Sequence, residues 1–418
     1  MASDKSQRIV VIGAGIVGIS TAIWLQRAGC EVIVVERGEP GHDKGTSYGN
    51  GGIIVPSGVA PVTGPGMILK SPKMLLDPNF PLFLRWGYLP RLLPWLVKYL
   101  SHANAPDTRR IARGLSVIVG DAVEQHKSLA RGTMAEGWIA DSDYCFAYAD
   151  RAAFEADRFV FELRRDAGQM PELIEGRAVR DYEPNMGAAV NLLAVMKDHA
   201  YVRAPGRYVA ALAKVFETGG GEIRRAEVRD IDLTDGRISA VQTDQGRIAC
   251  DRAVLATGVW SKPLAQKLGV NVPLESERGY HIVFKDPSLQ MRAAYMMTAG
   301  KFVVTPMQDG LRCAGVVEFG GLDAPASRAP LKLLRKQVAA FFPTLTYSAT
   351  EEWMGHRPAP ADSLPVIGEL GQTGVFAGFG HHHIGLTGGP KTGRLIAELM
   401  TGRGSNIDLS PFDPKRFA

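Results

Sequence analysis

The residue types and spacings that can do chemistry begin at position 9. An apolar run, Ile9–Ile12, leads straight into Gly13-Ala14-Gly15-Ile16-Val17-Gly18, and a helical period follows through Ile19, Ala22, Ile23 and Leu25. A second apolar run, Glu31–Val35, ends on Glu36, 23 residues after Gly13, with Arg37 beside it. A strand, a G-x-G-x-x-G turn, a helix and a strand ending on an acid make a dinucleotide cradle. Gly13 serves the tight turn, Gly15 the approach of a pyrophosphate, Gly18 the helix–strand packing, and Glu36 accepts from a ribose. The helix N-terminus sets about half a positive charge opposite the phosphates. NAD and FAD share this fingerprint, so it does not choose between them.

Three later segments fit a chain that lays a long cofactor across a sheet. In Gly45-Thr46-Ser47-Tyr48-Gly49-Asn50-Gly51-Gly52 the Thr46 and Ser47 hydroxyls suit phosphate, and Gly49, Asn50, Gly51 and Gly52 leave backbone amides free to approach a flat ring. The apolar strand Ala253–Leu255 runs into Ala256-Thr257-Gly258-Val259-Trp260-Ser261, whose glycine allows close approach to a pyrophosphate or ring. The third stretch, Gly380 through His382, His383, Ile384, Gly385, Leu386 and Thr387 to Pro390, opens a helix. A helix N-terminus aimed at a flavin would stabilise the anionic reduced ring. A nicotinamide dehydrogenase would use the same opening but leaves 45–52 and 380–389 without a role.

The 418 residues allow two or three domains. Forty-five per cent are hydrophobic and 22% charged, which excludes wholesale disorder. Net charge is +5 with no basic run, so a nucleic-acid partner is not expected. The 4 cysteines form no CxxC, which argues against a disulfide framework or zinc ribbon and for a reducing cytoplasm. Met1–Arg8 is polar and unlike a signal peptide, and the long uncharged stretches are broken by glycines, so no membrane-spanning helix is expected.

Helical periods appear at 107–132, 151–168 and 330–342. Period-two runs appear at 222–228, 237–243, 246–250, 252–257, 279–285, 301–306 and 311–318. The chain closes with a strand at 375–379, a glycine turn and a helix at 392–401. The pattern predicts α/β plus α+β: a Rossmann-like dinucleotide-binding domain (7–65, 200–268, 352–418) with an inserted mixed-sheet substrate domain (66–199, 269–351). A ligand cleft is expected at the seam.

Two segments carry competing readings. Pro81–Leu100 holds Phe83, Trp86, Tyr88, Leu92, Leu93, Trp95, Leu96 and Tyr99 among Arg85, Arg91, Lys98 and three prolines. It reads as a helical hairpin packed on the substrate domain; the rival is an apolar face at a membrane interface, near a quinone. His381, His382 and His383 invite a metal, but on an extended segment only His381 and His383 share a face, and no acid or cysteine sits at ligand spacing. No metal is expected.

The fingerprint, Trp353-Met354-Gly355-His356-Arg357-Pro358, Asp362-Ser363-Leu364-Pro365-Val366-Ile367-Gly368 and the stretch 379–394 together resemble the FAD-dependent D-amino acid oxidase superfamily, and within it the bacterial D-amino acid dehydrogenase branch. Glycine and sarcosine oxidases are related. The resemblance runs from Ile9 to about Gly402. It implies that Arg357 clamps a substrate carboxylate, that His383 faces the flavin on the substrate side, and that Val228 meets the adenine through its backbone. In Glu277-Arg278-Gly279-Tyr280-His281, Tyr280 or His281 reaches the pocket. No cysteine stands in Ala359–Ser363, so the FAD is expected to be non-covalent.

The implied reaction is oxidation of a D-amino acid, with hydride passing from Cα to flavin N5. The imine then hydrolyses to a keto acid and ammonia, and electrons go on to a quinone-like acceptor or oxygen. The alternatives are a cyclic or N-substituted amino acid such as D-hydroxyproline, sarcosine or glycine, or a non-catalytic flavoprotein subunit. A cytoplasmic protein, peripheral on the inner face of the membrane if 81–100 docks there, is the expected location; the oligomeric state is left open.

Overall fold

The computed structural model describes residues 7–77 and 79–417; the polar leader Met1–Ser6 lies outside them. One sheet has six strands in the order Val366–Glu369, Val375–Phe379, Arg252–Leu255, Arg8–Ile12, Glu31–Glu36 and Glu222–Arg225. All pair in parallel except Val366–Glu369. Ile9, Val11, Val32 and Val34 enter the core on one face, and Val10, Ile12, Ile33 and Val35 the core on the other. Burial on both faces explains why these strands read as unbroken β-branched runs. The glycine turns at 13, 258 and 380 follow the carboxyl ends of three neighbouring parallel strands, where α/β sheets place ligands.

The fingerprint helix Ile16–Arg27 packs against the helix Gly385–Thr401. Glycine makes the approach close: a Cβ on Gly393 would lie 2.6 Å from the Thr21 nitrogen and one on Gly389 3.0 Å from Ile16. The second helix starts seven residues before the one read from the sequence, running through Gly388, Gly389 and Pro390. Pro390 has no N–H for the Leu386 carbonyl. His126 replaces that bond: its Nε2 donates to Leu386 O at 2.9 Å while its Nδ1 accepts from the Tyr208 hydroxyl at 3.0 Å. Packing and an external donor therefore override a local sequence that reads as a turn.

A ten-stranded mixed sheet runs Ala349–Pro360, Leu274–Lys285, Gly310–Phe319, Phe302–Met307, Ala294–Met297, Ile139–Tyr148, Leu192–Val202, Ile53–Ile54, with Leu82–Leu84 and Glu172–Glu175 paired off this path. One face, including Ile282, Phe284, Tyr295 and Val304, packs with Leu334 and Val338 of the helix Arg328–Phe341. The other carries Tyr144, Phe146, Tyr148 and Met296 and faces the cofactor side. Ile139–Tyr148 and Leu192–Val202 have no counterpart in the sequence reading, because Asp141–Asp143 and Lys197–Asp198 interrupt their apolar runs. Strand pairing also cuts across the boundaries drawn at 65, 200 and 352: Ile53–Ile54, 200–202 and 352–360 belong to the large sheet.

Pro81–Leu100 is not a hairpin. It is a short strand, a 3-10 turn Trp86–Tyr88 and one helix, Leu89–Ser101. Leu92, Trp95 and Tyr99, at helical spacing, pack with Phe319 and Ala359. The Trp95 indole donates to the Ala359 carbonyl at 2.9 Å, two residues beyond Arg357. On the opposite side Leu93 and Val97 stay exposed.

Gly18 leaves no room for a side chain, since a Cβ there would collide with the Gly13 carbonyl. Gly18→Ala should lower stability by about 1–3 kcal/mol, as overpacking does, read as a lower midpoint in chemical denaturation. An unchanged midpoint would show that the turn is looser than this packing.

Candidate functional site

A cavity of about 880 Å³ opens between the carboxyl ends of the parallel strands and the inner face of the large sheet. Gly13, Ala14, Gly15, Ile16, Val17, Glu36, Arg37, Val228, Thr257, Gly258 and Trp260 line it. So do Thr46, Ser47, Asn50, Gly51, Gly380, Tyr280, Arg357 and the run from His382 to Thr387. Gly18, Gly52 and His281 are the expected site residues that do not. Gly18 packs under the fingerprint turn, and Gly52, at φ +79°, makes room for the Met307 methyl. His281 lies behind Trp353, its ring stacked 5.1 Å from the indole and its Nδ1 donating to the Gly49 carbonyl at 3.0 Å.

The fingerprint turn is built by its neighbours. Gly13 holds φ +101°, and a Cβ there would lie 2.7 Å from the Ala256 carbonyl oxygen. Around Gly15 only the Ser47 hydroxyl lies close, at 3.6 Å from a would-be Cβ, so the backbone there is open to a ligand. Ser47 Oγ accepts from the Ile16 amide at 3.1 Å and keeps its own proton to donate. Glu36 Oε2 accepts from the Ala14 amide at 2.7 Å, so the turn orients the acid expected to meet the ribose. The Arg37 guanidinium stacks 4.2 Å over Trp260. An open glycine, free amides at a helix start and an oriented acid fit the pyrophosphate and ribose of FAD, and the cavity continues from there to the helix start at Gly385.

Two expectations change. Thr46 lines the cavity, but its hydroxyl donates to the His356 carbonyl at 2.7 Å and ties the 45–52 loop to the Arg357 strand. The flat ring against Gly49 is the chain's own Trp353 indole, which fills the space a Cβ would take there and at Gly355.

At the other end stands a buried charge network. Glu277 and Arg357 are register partners on adjacent strands. Arg357 Nη1 donates to Glu277 Oε1 at 3.0 Å, and Glu277 Oε2 pairs with His382 Nε2. Burial pushes the Glu277 carboxyl up, but His382 and Arg357 pull harder and hold it at about 2. The Arg357 guanidinium lies over Gly279, where any Cβ would strike it. His382 sits at φ +50°, and its Nδ1 is buried without a partner among the described residues. Residues 382–384 form a 3-10 turn rather than an extended segment, so the three histidines diverge. His381 bonds Thr392 Oγ1 at 2.9 Å, His382 meets Glu277, and His383 opens into the cavity. His383 is exposed only in that sense: the chain encloses it, and burial drives it down to about 3. The described residues include no metal-binding cluster. Tyr280 contributes no free hydroxyl, since its OH donates to Glu318 at 2.6 Å and accepts from the Ser327 amide.

Among the lining residues that the sequence reading missed are Glu277 and Arg164. Glu277 was visible as an acid inside a buried strand, two residues before Gly279. Arg164 was visible as a cation three positions after Phe161 on the apolar face of the helix Arg158–Asp166.

Gly279→Ala should displace Arg357 and weaken carboxylate binding to the FAD-loaded protein about tenfold, roughly 1.4 kcal/mol, with FAD content unchanged; equal binding would place the carboxylate elsewhere. A pH dependence follows from the buried histidines. Burial lowers His126 and His381 to about 4 and His281 to about 3. The unfolded chain takes up their protons near pH 6.5, so stability is full above that value and falls as pH drops toward 4, by at most about 1.4 kcal/mol per pH unit per histidine. Glu277 acts in the same direction at lower pH: its contribution is full above the usual carboxylate pKa and is lost as pH falls toward 2. Denaturation midpoints that stay flat from about pH 7 to about pH 5 would contradict neutral buried imidazoles.

Residues 8–399 match the family described as FAD dependent oxidoreductase, DAO. The chain is 36% identical over 419 residues to a D-amino-acid oxidase of Bradyrhizobium diazoefficiens, covering 99% of both chains. It is 28% identical to a D-amino acid dehydrogenase of Rhizobium rhizogenes, over 98% of this chain and 100% of the relative. The glycine oxidase of Geobacillus kaustophilus shares the fold, with a TM-score of 0.74 at 19% identity over 99% of this chain and 100% of that one. An open glycine turn, an acid oriented at the end of the next strand and a family match spanning nearly the whole length agree: this chain is an FAD-dependent enzyme of the DAO oxidoreductase family.

Proposed function

We propose that the protein catalyses oxidative deamination of a D-amino acid. The observation that carries this reading is the Arg357 guanidinium, held over Gly279 by buried Glu277 and facing the cofactor cavity. Full-length similarity to an oxidase and a dehydrogenase of D-amino acids supports it.

FAD, when bound, supplies the acceptor for the hydride leaving Cα. The chain's own part is positioning. Glu277 engages one terminal nitrogen of Arg357, which leaves the other donors of the fork for the substrate carboxylate. Anchored there, a substrate presents Cα–H in one orientation rather than many, and orientation is a large share of the rate. The neutral amine's lone pair assists as Cα–H departs, so no side chain is needed as base at that carbon. The nitrogen gives up its proton to solvent as the imine forms, and water converts the imine to keto acid and ammonia. The bound cofactor would hand its electrons on to oxygen or a quinone-like acceptor.

Among the described residues no helix is long and apolar enough to cross a membrane. Trp86, Leu93 and Val97, 51–61% exposed beside Arg91 and Lys98, favour peripheral contact with an anionic bilayer through the helix Leu89–Ser101. Co-sedimentation with anionic vesicles, lost in Leu93→Gln/Val97→Gln, checks this; a wild type that stays in the supernatant refutes it.

A D-amino acid added without oxygen should bleach the flavin absorbance, across a screen of cyclic, basic, acidic and aliphatic candidates. Arg357→Ala should retain FAD and raise KM about 100-fold, the loss expected for roughly 3 kcal/mol of charge-assisted hydrogen bonding. Bleaching by none of the candidates, or an unchanged KM, would refute the reading.

A further inference from the structure

We propose that Arg164 and Tyr144 form a carboxylate-binding subsite in the same cavity, on a part of its wall separate from Arg357. Arg164 projects from the buried face of the helix Arg158–Asp166 and is 8% exposed. Its guanidinium lies 4.1 Å from the centre of the Phe146 ring and 4.6 Å from that of Phe161, and it lines the cavity. Its Nε is buried with no hydrogen-bond partner, and among the described residues no carboxylate comes within ion-pair distance of the group. Of the other guanidinia that line the cavity, Arg357 is paired with Glu277, Arg37 stacks on Trp260, and Arg229 is next to Val228 in sequence, where the adenine is expected.

A desolvated cation with no carboxylate in ion-pair contact is destabilising, and folded chains keep one where a ligand completes the pair. The nearest acid, half-buried Asp157, accepts from the Tyr148 hydroxyl at 2.9 Å and forms no ion pair with Arg164. Tyr144, 4% exposed, also lines the cavity, and among the described residues its hydroxyl bonds to nothing. A planar fork beside a free phenol, walled by Phe146 and Met296, suits a carboxylate on an otherwise apolar molecule. The phosphate chemistry of the cavity belongs to Gly15, at the other end.

This inference deepens the amino-acid reading and rests on it for the origin of the carboxylate: the substrate's α-carboxylate, or a second acid on its side chain. Arg357→Ala removes the other clamp, so calorimetric titration of that FAD-loaded variant with butyrate and with glutarate reads the Arg164 subsite alone. Both acids resist oxidation at this centre, so the outcome does not depend on whether any D-amino acid bleaches the flavin. Saturable binding is expected, weakened at least tenfold by adding Arg164→Met and about threefold by adding Tyr144→Phe. Equal weakening for both acids supports the subsite and assigns it to a lone carboxylate; a loss confined to glutarate supports it and assigns a second acid. No binding in Arg357→Ala, or equal affinity with and without folded Arg164→Met, overturns it. If Arg164→Met does not fold, Tyr144→Phe decides, and unchanged affinity overturns it.

Discussion

A carboxylate sealed between a guanidinium and an imidazole is the interaction on which the site depends. Glu277 is 3% exposed, and its two oxygens face Arg357 and His382. Removing either partner would strand a charge in a desolvated wall, which is why such networks are conformationally exacting. It joins two parts of the molecule: Glu277 and Arg357 belong to the large sheet, whereas His382 belongs to the turn that starts the last long helix. One buried acid therefore fixes the arginine proposed to hold the substrate relative to the segment expected to hold the ring of the cofactor.

The surrounding structure serves that alignment. Gly279 removes the side chain that would occupy the place of the guanidinium. Trp95, from a helix that looks peripheral in sequence, bonds the Ala359 carbonyl and braces the Arg357 strand from outside. Thr46 bonds the His356 carbonyl from the opposite side. His126 supplies the donor that Pro390 lacks, which allows the helix behind His382 to begin early enough to point its N-terminus into the cavity. Val316 adds strain at the same place: it is the unpaired residue where the register slips between Gly279 and Tyr280, and it holds φ +59°, which is costly for a β-branched side chain.

The sequence made the cofactor half legible because its constraints are local. A glycine that must hold positive φ, a helix start and an acid at a strand end lie within 28 residues, from Ile9 to Glu36, and each has one mechanical reason. Arg357 was legible only through resemblance, since nothing beside it in sequence reports Glu277, 80 positions away. The unseen parts share this long-range character. His281 reads as a pocket residue until Trp353, from the next strand, covers it. Gly388-Gly389-Pro390 reads as a turn until Ile118 and Ile16 require the small residues and His126 the freed carbonyl. Tyr280 reads as a pocket residue and does line the cavity, but Glu318 accepts the hydrogen bond of its hydroxyl.

The central claim concerns where one carboxylate comes to rest. A crystal structure of the FAD-loaded protein with a non-oxidisable amino acid analogue tests it most directly. The account places the analogue's carboxylate on the Arg357 donors that Glu277 leaves free, with the Glu277–Arg357 bond intact and the cofactor pyrophosphate over Gly15. A carboxylate bound elsewhere while Arg357 remains closed on Glu277, or an Arg357 side chain turned out of the cavity, would contradict it.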